Sequence, residues 1–138
     1  MTEITVRVNY SETDQMGVVY HARYLVWLDV ARCEYIRSAG RSYASLEEQG
    51  FRLAVGDLRI RYRRPARYDD LVRVRCWVRE AASRRITFGY LVELPDRNQV
   101  VATAETAMFV LGRDLTPARL PADVLSLLPA EPDPVRLF

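Results

Sequence analysis

The segment between the first predicted strand and the first predicted helix holds the side chains best suited to chemistry. It reads Tyr10-Ser-Glu-Thr-Asp-Gln-Met-Gly-Val-Val-Tyr-His21 and contains Asp14 and the single histidine of the chain, His21. A carboxylate can serve as nucleophile or general base. The first N–H groups of a helix lack internal partners and favour a developing oxyanion. An aspartate just after a strand is, however, more often a turn residue, and that reading stays open for Asp14.

The sequence lacks the residues that several other kinds of catalytic site require. Cys33 and Cys76 are too few for a disulfide framework, and a metal site would need both sulfurs to converge on His21. Every basic residue is arginine, which excludes a Schiff-base lysine and a Walker-loop lysine. There is no Gly-x-Ser-x-Gly elbow for a serine hydrolase. The sequence therefore predicts neither a metal nor a bound cofactor.

Composition limits the remaining classes. The chain has 138 residues, of which 49% are hydrophobic and 28% charged, which is typical of one globular domain. Its formal net charge of +2 argues against a dedicated nucleic-acid binder. The longest apolar runs fall far short of the roughly 20 residues of a membrane-spanning helix, and no secretion signal precedes the first strand. We therefore expect a cytoplasmic protein without a membrane span.

The elements that must position the segment start with a strand and a long helix. Alternation from Ile4 to Tyr10 predicts the strand, and the pattern from Ala22 to Ala39 predicts the helix, ended by Gly40. The helix is apolar around most of its circumference, so it should be largely buried. A shorter helix is expected over Ser42–Gln49.

Four further strands are predicted, and their order favours an antiparallel meander. The first three should have one apolar face, which includes Tyr62 as a core residue, and one wet face, whereas the last should be buried on both faces. They span Leu58–Arg64, Leu71–Glu80, Arg85–Leu94 and Val100–Leu111. The resulting fold is α+β, a five-stranded antiparallel sheet wrapped around one long central helix.

The end of the chain is rich in proline. A short helix over Ala122–Leu128 is expected, followed by fraying beyond Pro129, so the domain should cover 1–128 and the tail 129–138. Because one helix can hardly cover a sheet of this width, we expect a homodimer or homotetramer, assembled through the last strand or the uncovered sheet face.

Two stretches of the sequence resemble a known family. They are Tyr10-x-x-Thr-Asp-x-x-Gly-Val-Val-Tyr-His-x-x-Tyr-x-x-Trp-Leu-Asp-x-Ala-Arg32 and Arg61-Tyr-Arg-Arg-Pro-Ala-Arg-Tyr-Asp-Asp-Leu71. The first is similar to the signature of the 4-hydroxybenzoyl-CoA thioesterase-like (YbgC-like) branch of the hotdog-fold superfamily, and the second to that family's strand-turn-strand segment. The resemblance covers roughly residues 4–128.

The resemblance implies a hotdog fold that hydrolyses acyl-CoA thioesters at subunit interfaces, with coenzyme A as part of the substrate. It implies that Asp14 is the catalytic carboxylate, as nucleophile or general base, and that the backbone N–H of His21 polarises the thioester carbonyl. Whether the imidazole of His21 also takes part stays open. Substrate-binding residues in the same segment are expected to be Gly17, Val18 and Tyr20.

The arginines and two other functions remain as alternatives. Arg84 and Arg85 open a strand and could bind the phosphates of coenzyme A, or they could simply be solvated. The same applies, less strongly, to Arg61, Arg63 and Arg64. A hotdog dehydratase acting on acyl-carrier thioesters and a non-enzymatic acyl-CoA-binding protein are the competing functions.

Overall fold

The structure, a computed structural model, describes residues 1–138 and contains one sheet, one long helix and two short helices. Single 3-10 turns cover Tyr10–Glu12 and Pro95–Arg97. The predicted α+β class and the five-stranded antiparallel sheet are confirmed. In chain order the elements are β1 Thr2–Arg7, α1 Arg23–Ser38, α2 Tyr43–Glu48, β2 Arg52–Tyr62, β3 Leu71–Ala81, β4 Arg85–Leu94, β5 Gln99–Leu111 and α3 Ala122–Leu125.

The strands lie in the order β1-β3-β4-β5-β2, so the expected meander is correct only for β3, β4 and β5. β2 pairs with β5 at the far edge of the sheet and does not pair with β3. Alternation identifies which face of a strand is buried, but it carries no information on which strand lies beside it. The free edges of the sheet are therefore β1 and β2.

β2 begins six residues before the predicted strand, at Arg52 in place of Leu58. The missed half contains a β-bulge between Val55 and Asp57, which interrupts the alternation. Gly56 lies in this bulge, and a Cβ built there would be 1.7 Å from the ring of Phe109. Gly56 interrupts the alternating pattern by which the strand could have been predicted. The close approach of Phe109 on β5 requires a glycine at this position.

α1 lies in the concave face of the sheet and buries Tyr24, Trp27, Leu28, Ala31, Tyr35 and Ile36. They pack against the inward side chains of β3, β4 and β5. The expectation of a largely buried helix is correct for the face on the sheet, but Val26 and Val30 on the other side are about half exposed. The sheet covers one side of α1, and the opposite side can be buried only by a further element or another copy of the chain. No helix has both the length and the apolar character that crossing a membrane demands.

The C-terminal tail packs on the convex face of the sheet, so the expected fraying is wrong. Leu137 is buried against Trp77 and Leu91, and the N–H of Glu131 donates to the carbonyl of Val78 at 2.8 Å. This covering also explains why β4 is buried on both faces although one wet face was expected. The partners are distant in sequence, so no local pattern indicates the contact.

β5 is buried on both faces, as predicted. Both of its edges are occupied, one by β4 and one by β2. The last strand therefore has no free edge for assembly, which corrects that part of the oligomer prediction.

Candidate active site

The loop from Thr13 to Val19 is a small closed hairpin. Thr13 and Val19 form an isolated antiparallel bridge, and the N–H of Asp14 donates to the carbonyl of Val18 at 2.9 Å. Gly17 has φ +75°, in the left-handed region that glycine adopts without strain, and its N–H donates to the carbonyl of Asp14 at 3.0 Å. Gly17 thus has a conformational role in the turn.

Only one of the two carboxylate oxygens of Asp14 takes part in this turn. Its Oδ1 accepts a hydrogen bond from the N–H of Met16 at 2.8 Å, which is the turn role considered above. Its Oδ2 has no hydrogen-bond partner in the structure. The backbone amide fixes the orientation of the carboxylate and leaves one oxygen available for chemistry.

The polypeptide enters α1 directly after this loop. The helix starts at Arg23 without a side-chain cap, one residue later than predicted. The N–H of Arg23 donates to the carbonyl of Tyr20 at 2.9 Å, whereas the N–H of His21 has no acceptor. The carbonyl of His21 accepts from the hydroxyl of Tyr62 at 2.7 Å. The structure therefore leaves the N–H of His21 free at the entrance to the helix, as it does those of Ala22 and Tyr24.

Asp14 and His21 line one open cavity of about 300 Å³, here called the Asp14 cavity. Of the predicted substrate-binding residues only Val18 lines it. Gly17 belongs to the turn, and Tyr20 packs its ring against the imidazole of His21, with centroids 4.5 Å apart and the ring planes tilted by 56°. The full lining is Asp14, Met16, Val18, Val19, His21, Tyr24, Tyr62, Arg63, Arg64 and Pro65.

Tyr62 is the residue of this cavity that sequence reasoning missed. It was expected in the core because it alternates with Leu58 and Ile60, but it is 43% exposed. Besides its bond to His21, it packs edge-to-face on Tyr24 with ring centroids 5.3 Å apart. Burial raises the pKa of Tyr62, so its hydroxyl remains a neutral donor. Its position beside Arg63-Arg64-Pro65, in the second family-like stretch, was the available signal.

Arg63 and Arg64 are the arginines at the Asp14 cavity. Arg63 donates to the carbonyls of Arg136 and Leu137 at 3.2 Å each, so the tail holds it in place. The side chain of Arg64 makes no hydrogen bond or ion pair. Arg64 therefore contributes an uncommitted positive charge to the cavity.

Arg84 and Arg85 do not reach this cavity within one chain, and their contact with the phosphates of coenzyme A stays a prediction. Arg85 lines a larger cavity of about 780 Å³ on the convex face, the outer-face cavity, and its guanidinium carbon lies 5.7 Å from the ring centroid of Phe109. Phe109 pairs with Ala54 near the start of β2, whereas Tyr62 ends that strand. Eight strand residues correspond to about 26 Å. The exposed Arg84 is the neighbour of Arg85, and both therefore belong to the opposite end of β2.

The cysteines lie apart from the cavity. Cys76 is buried on β3, and burial raises the pKa of its thiol, so it stays protonated. Cys33 lies on α1 and is partly exposed. No three side chains of the His, Cys, Asp and Glu types lie close enough together to hold a metal ion.

Comparisons with known proteins agree with this fold and this segment. The family model of the thioesterase-like superfamily matches residues 8–128. The acyl-CoA thioesterase YbgC of Haemophilus influenzae is 38% identical over 120 residues, which cover 86% of this chain and 88% of that one. The putative acyl-CoA thioesterase YneP of Bacillus subtilis is 38% identical over 90 residues, and the match spans 65% of each chain.

Solved structures show the same architecture. A hypothetical protein from Thermus thermophilus, TT1821, superposes with a TM-score of 0.87 at 34% identity and covers 93% of this chain and 97% of its own. The DHNA-CoA thioesterase from Staphylococcus aureus superposes with a TM-score of 0.82 at 33% identity, and the match covers 86% of this chain and 80% of that one. The predicted hotdog fold and the predicted enzyme class, a thioesterase, are confirmed. The chain belongs to the thioesterase-like superfamily.

Proposed function

We propose that this chain hydrolyses acyl-CoA thioesters to a free acid and coenzyme A in the Asp14 cavity. The observation that carries the proposal is the pairing of an uncommitted carboxylate oxygen on Asp14 with an unpaired N–H on His21 in one cavity. The printed names of its relatives, which include acyl-CoA and DHNA-CoA thioesterases, support the choice of substrate. The predicted cytoplasmic location is part of this proposal.

The reaction follows from these two groups. The His21 N–H donates to the thioester carbonyl oxygen and stabilises the negative charge that develops on it. Asp14 then acts in one of two ways. As a general base it removes a proton from water that attacks the carbonyl, and the proton passes to the departing thiolate. As a nucleophile it forms a mixed anhydride, which water hydrolyses after the thiolate has left.

Oxygen-18-labelled water tests for the nucleophilic route in a single turnover with enzyme in excess. General-base catalysis, or an anhydride that water attacks at the acyl carbonyl, places the label in the product acid. Nucleophilic catalysis with water attack on the aspartyl carbonyl places it in the side chain of Asp14, which mass spectrometry of the peptide detects. In both routes the leaving thiolate is stable enough that we expect no metal and no further cofactor.

We also propose that two copies of the chain pair through the free edge of β2. The outer edge of this 11-residue strand offers a row of free backbone groups, and the apolar Val26, Val30, Val55 and Leu58 are exposed beside it. A twofold antiparallel pair would place the Arg52 end of one β2 next to the Tyr62 end of the other. Arg84 and Arg85 of the second copy would then approach this chain's Asp14 cavity, where they can bind phosphates of coenzyme A.

Two measurements test the proposal. A panel of acyl-CoAs with detection of the free thiol should show turnover that survives exhaustive chelation. Loss of turnover on chelation, restored by a divalent ion, would contradict the metal-free mechanism, and no turnover of any thioester would contradict the function. Dehydration of 3-hydroxyacyl thioesters, or tight binding without turnover, would point to the competing functions.

Light scattering at micromolar concentration should give at least a dimer. Val30→Glu, which places a charge on the exposed strip of α1, should shift the protein toward monomer and lower its activity. A wild-type monomer with full activity would contradict the shared site.

A further inference from the structure

One carboxylate and two guanidinium groups line the Asp14 cavity, yet no ion pair joins them. The carboxylate is that of Asp14, whose Oδ2 is free, and the guanidinium groups are those of Arg63 and Arg64. Opposite charges that share a cavity attract each other. The arrangement therefore raises the question of what keeps a guanidinium away from the oxygen that the reaction needs.

For Arg63, the C-terminal tail provides the restraint. One Nη of Arg63 donates to the carbonyls of Arg136 and Leu137, so both hydrogens of that nitrogen have acceptors in the tail. Arg63 also lines a further open cavity of about 440 Å³, together with Val135, Arg136 and Phe138. The side chain of Arg63 thus lies between the Asp14 cavity and the end of the tail.

The end of the tail is itself firmly anchored. The side chain of Leu137 is 2% exposed and packs on Trp77 and Leu91. Its carbonyl accepts a second hydrogen bond, from the hydroxyl of the fully buried Thr103. The acceptors that hold Arg63 are therefore fixed to the sheet by contacts in which Arg63 takes no part.

We propose that the tail keeps Asp14 reactive by holding Arg63 away from it. A released Arg63 would lose both carbonyl acceptors, and the free Oδ2 of Asp14 is an anionic acceptor on the same cavity. A carboxylate that is paired with a guanidinium is a weaker base and nucleophile, because the pair stabilises its negative charge. The tail is thus a positioning element of the active site, an inference that rests on the proposed role of Asp14 in thioester hydrolysis.

The test compares four proteins, which are the full chain and a truncation after Val135, each with and without Arg63→Met. The assay measures kcat on the acyl-CoA that the panel shows to be turned over fastest. Truncation should lower kcat by about fivefold, the scale of an exposed ion pair. Arg63→Met keeps the apolar stem and removes the charge, so it should restore kcat in the truncated chain and should not raise it in the full chain. A tail that only stabilised the fold would give no such rescue.

Arg64→Met is the matched control, because Arg64 lines the same cavity and has no hydrogen bond to the tail. It should change kcat by the same factor in the full and the truncated chain. Unchanged kcat in a folded truncation, or a loss that Arg63→Met does not restore, would overturn the inference. A loss confined to KM would do the same, since it would make Arg63 a substrate-binding residue. No hydrolysis by the full chain would instead count against the proposed function.

Thr103→Val decides the question if the truncated chain does not fold. It removes the hydroxyl that fixes the carbonyl of Leu137 and leaves the tail in the chain. We expect a loss of kcat of about twofold that Arg63→Met again restores. Salt at about 1 M, which screens exposed charges, should bring the kcat of Thr103→Val close to that of the full chain in the same salt. A loss that salt and Arg63→Met both leave in place would overturn the inference.

Discussion

The outer-face cavity and the Asp14 cavity differ in how their polar groups are paired. The outer-face cavity is the larger, at about 780 Å³ against about 300 Å³, and it holds more charged residues. Its central charges satisfy one another, since Arg79 pairs with both Glu105 and Asp133. In the Asp14 cavity, by contrast, a carboxylate oxygen and a backbone N–H have no partner. This juxtaposition of a free carboxylate oxygen and a free N–H, and not size or charge, is the reason that we propose the reaction for the Asp14 cavity.

The largest expected effect that separates the two cavities is that of Asp14→Asn. The substitution keeps the size of the side chain and its bond to the N–H of Met16, so the loop should keep its fold. It removes the nucleophile or base, and kcat should fall by about 10² to 10⁴. Steady-state kinetics and a circular dichroism spectrum together check this. Wild-type turnover by a folded variant would refute the role of Asp14.

His21→Ala should cost less than Asp14→Asn, because the backbone donor is retained. We expect a loss of kcat below about tenfold, caused by removal of the packing between the imidazole and the ring of Tyr20. The same kinetic assay measures it. A loss as large as that of Asp14→Asn would assign the imidazole a direct part in the reaction.

Tyr62→Phe should have a smaller effect again. It deletes the hydroxyl that donates to the carbonyl of His21 at 2.7 Å, and one hydrogen bond of this kind is worth about 1 kcal/mol. We expect kcat to fall by about two- to tenfold while the ring packing on Tyr24 is kept. Tyr68→Phe, at an exposed tyrosine outside the cavity, serves as the control and should leave kcat unchanged.

Asp133→Asn in the outer-face cavity should leave kcat unchanged and lower stability. Asp133 accepts from Trp77 and Arg79, and the side chains of the Arg79–Asp133 pair are 31% and 29% exposed. Loss of the charge should cost about 1 kcal/mol, which is about 3 °C in Tm. A large loss of activity with unchanged Tm would contradict the contrast between the two cavities.

The same pair predicts a pH dependence. Burial alone would raise the pKa of Asp133, but the hydrogen bonds from Arg79 and Trp77 hold it below its usual range. A carboxyl with a lowered pKa contributes stability above the unfolded value of about 3.9 and loses it as the pH falls through the folded pKa. The difference in Tm between wild type and Asp133→Asn should therefore be constant near neutral pH and shrink on acidification below about pH 4. A difference that grows there would reverse the assignment.

Local pattern predicted much of the fold and part of the site. The alternation in β3, β4 and β5 and the helical pattern of α1 placed these elements to within one or two residues. The Thr13–His21 motif placed Asp14 and His21 at one helix entrance. Both successes concern residues close in sequence, where spacing translates directly into geometry.

The failures concern residues that are distant in sequence. Tyr62 looked like a core residue because alternation reports a face of the strand and cannot show that this end of β2 opens beside α1. The sequence also could not show that the pairing of β4 with β5 carries Arg84 and Arg85 to the other end of β2, away from the Asp14 cavity of the same chain, so their contact with coenzyme A phosphates stays a prediction. Fraying of the tail was expected because Leu137 and Asp133 have their partners on the convex face of the sheet, far away in the sequence.

The sequence by itself determined α1 and the strands β3, β4 and β5, because these depend on side-chain type and period over a few neighbouring residues. Only the tertiary structure decided that β2 joins the sheet beside β5 and that Tyr62 meets the carbonyl of His21. It also decided that the tail seals the convex face. Each of these depends on how connections between elements cross the molecule, and that path is set by the packing of the whole core around α1.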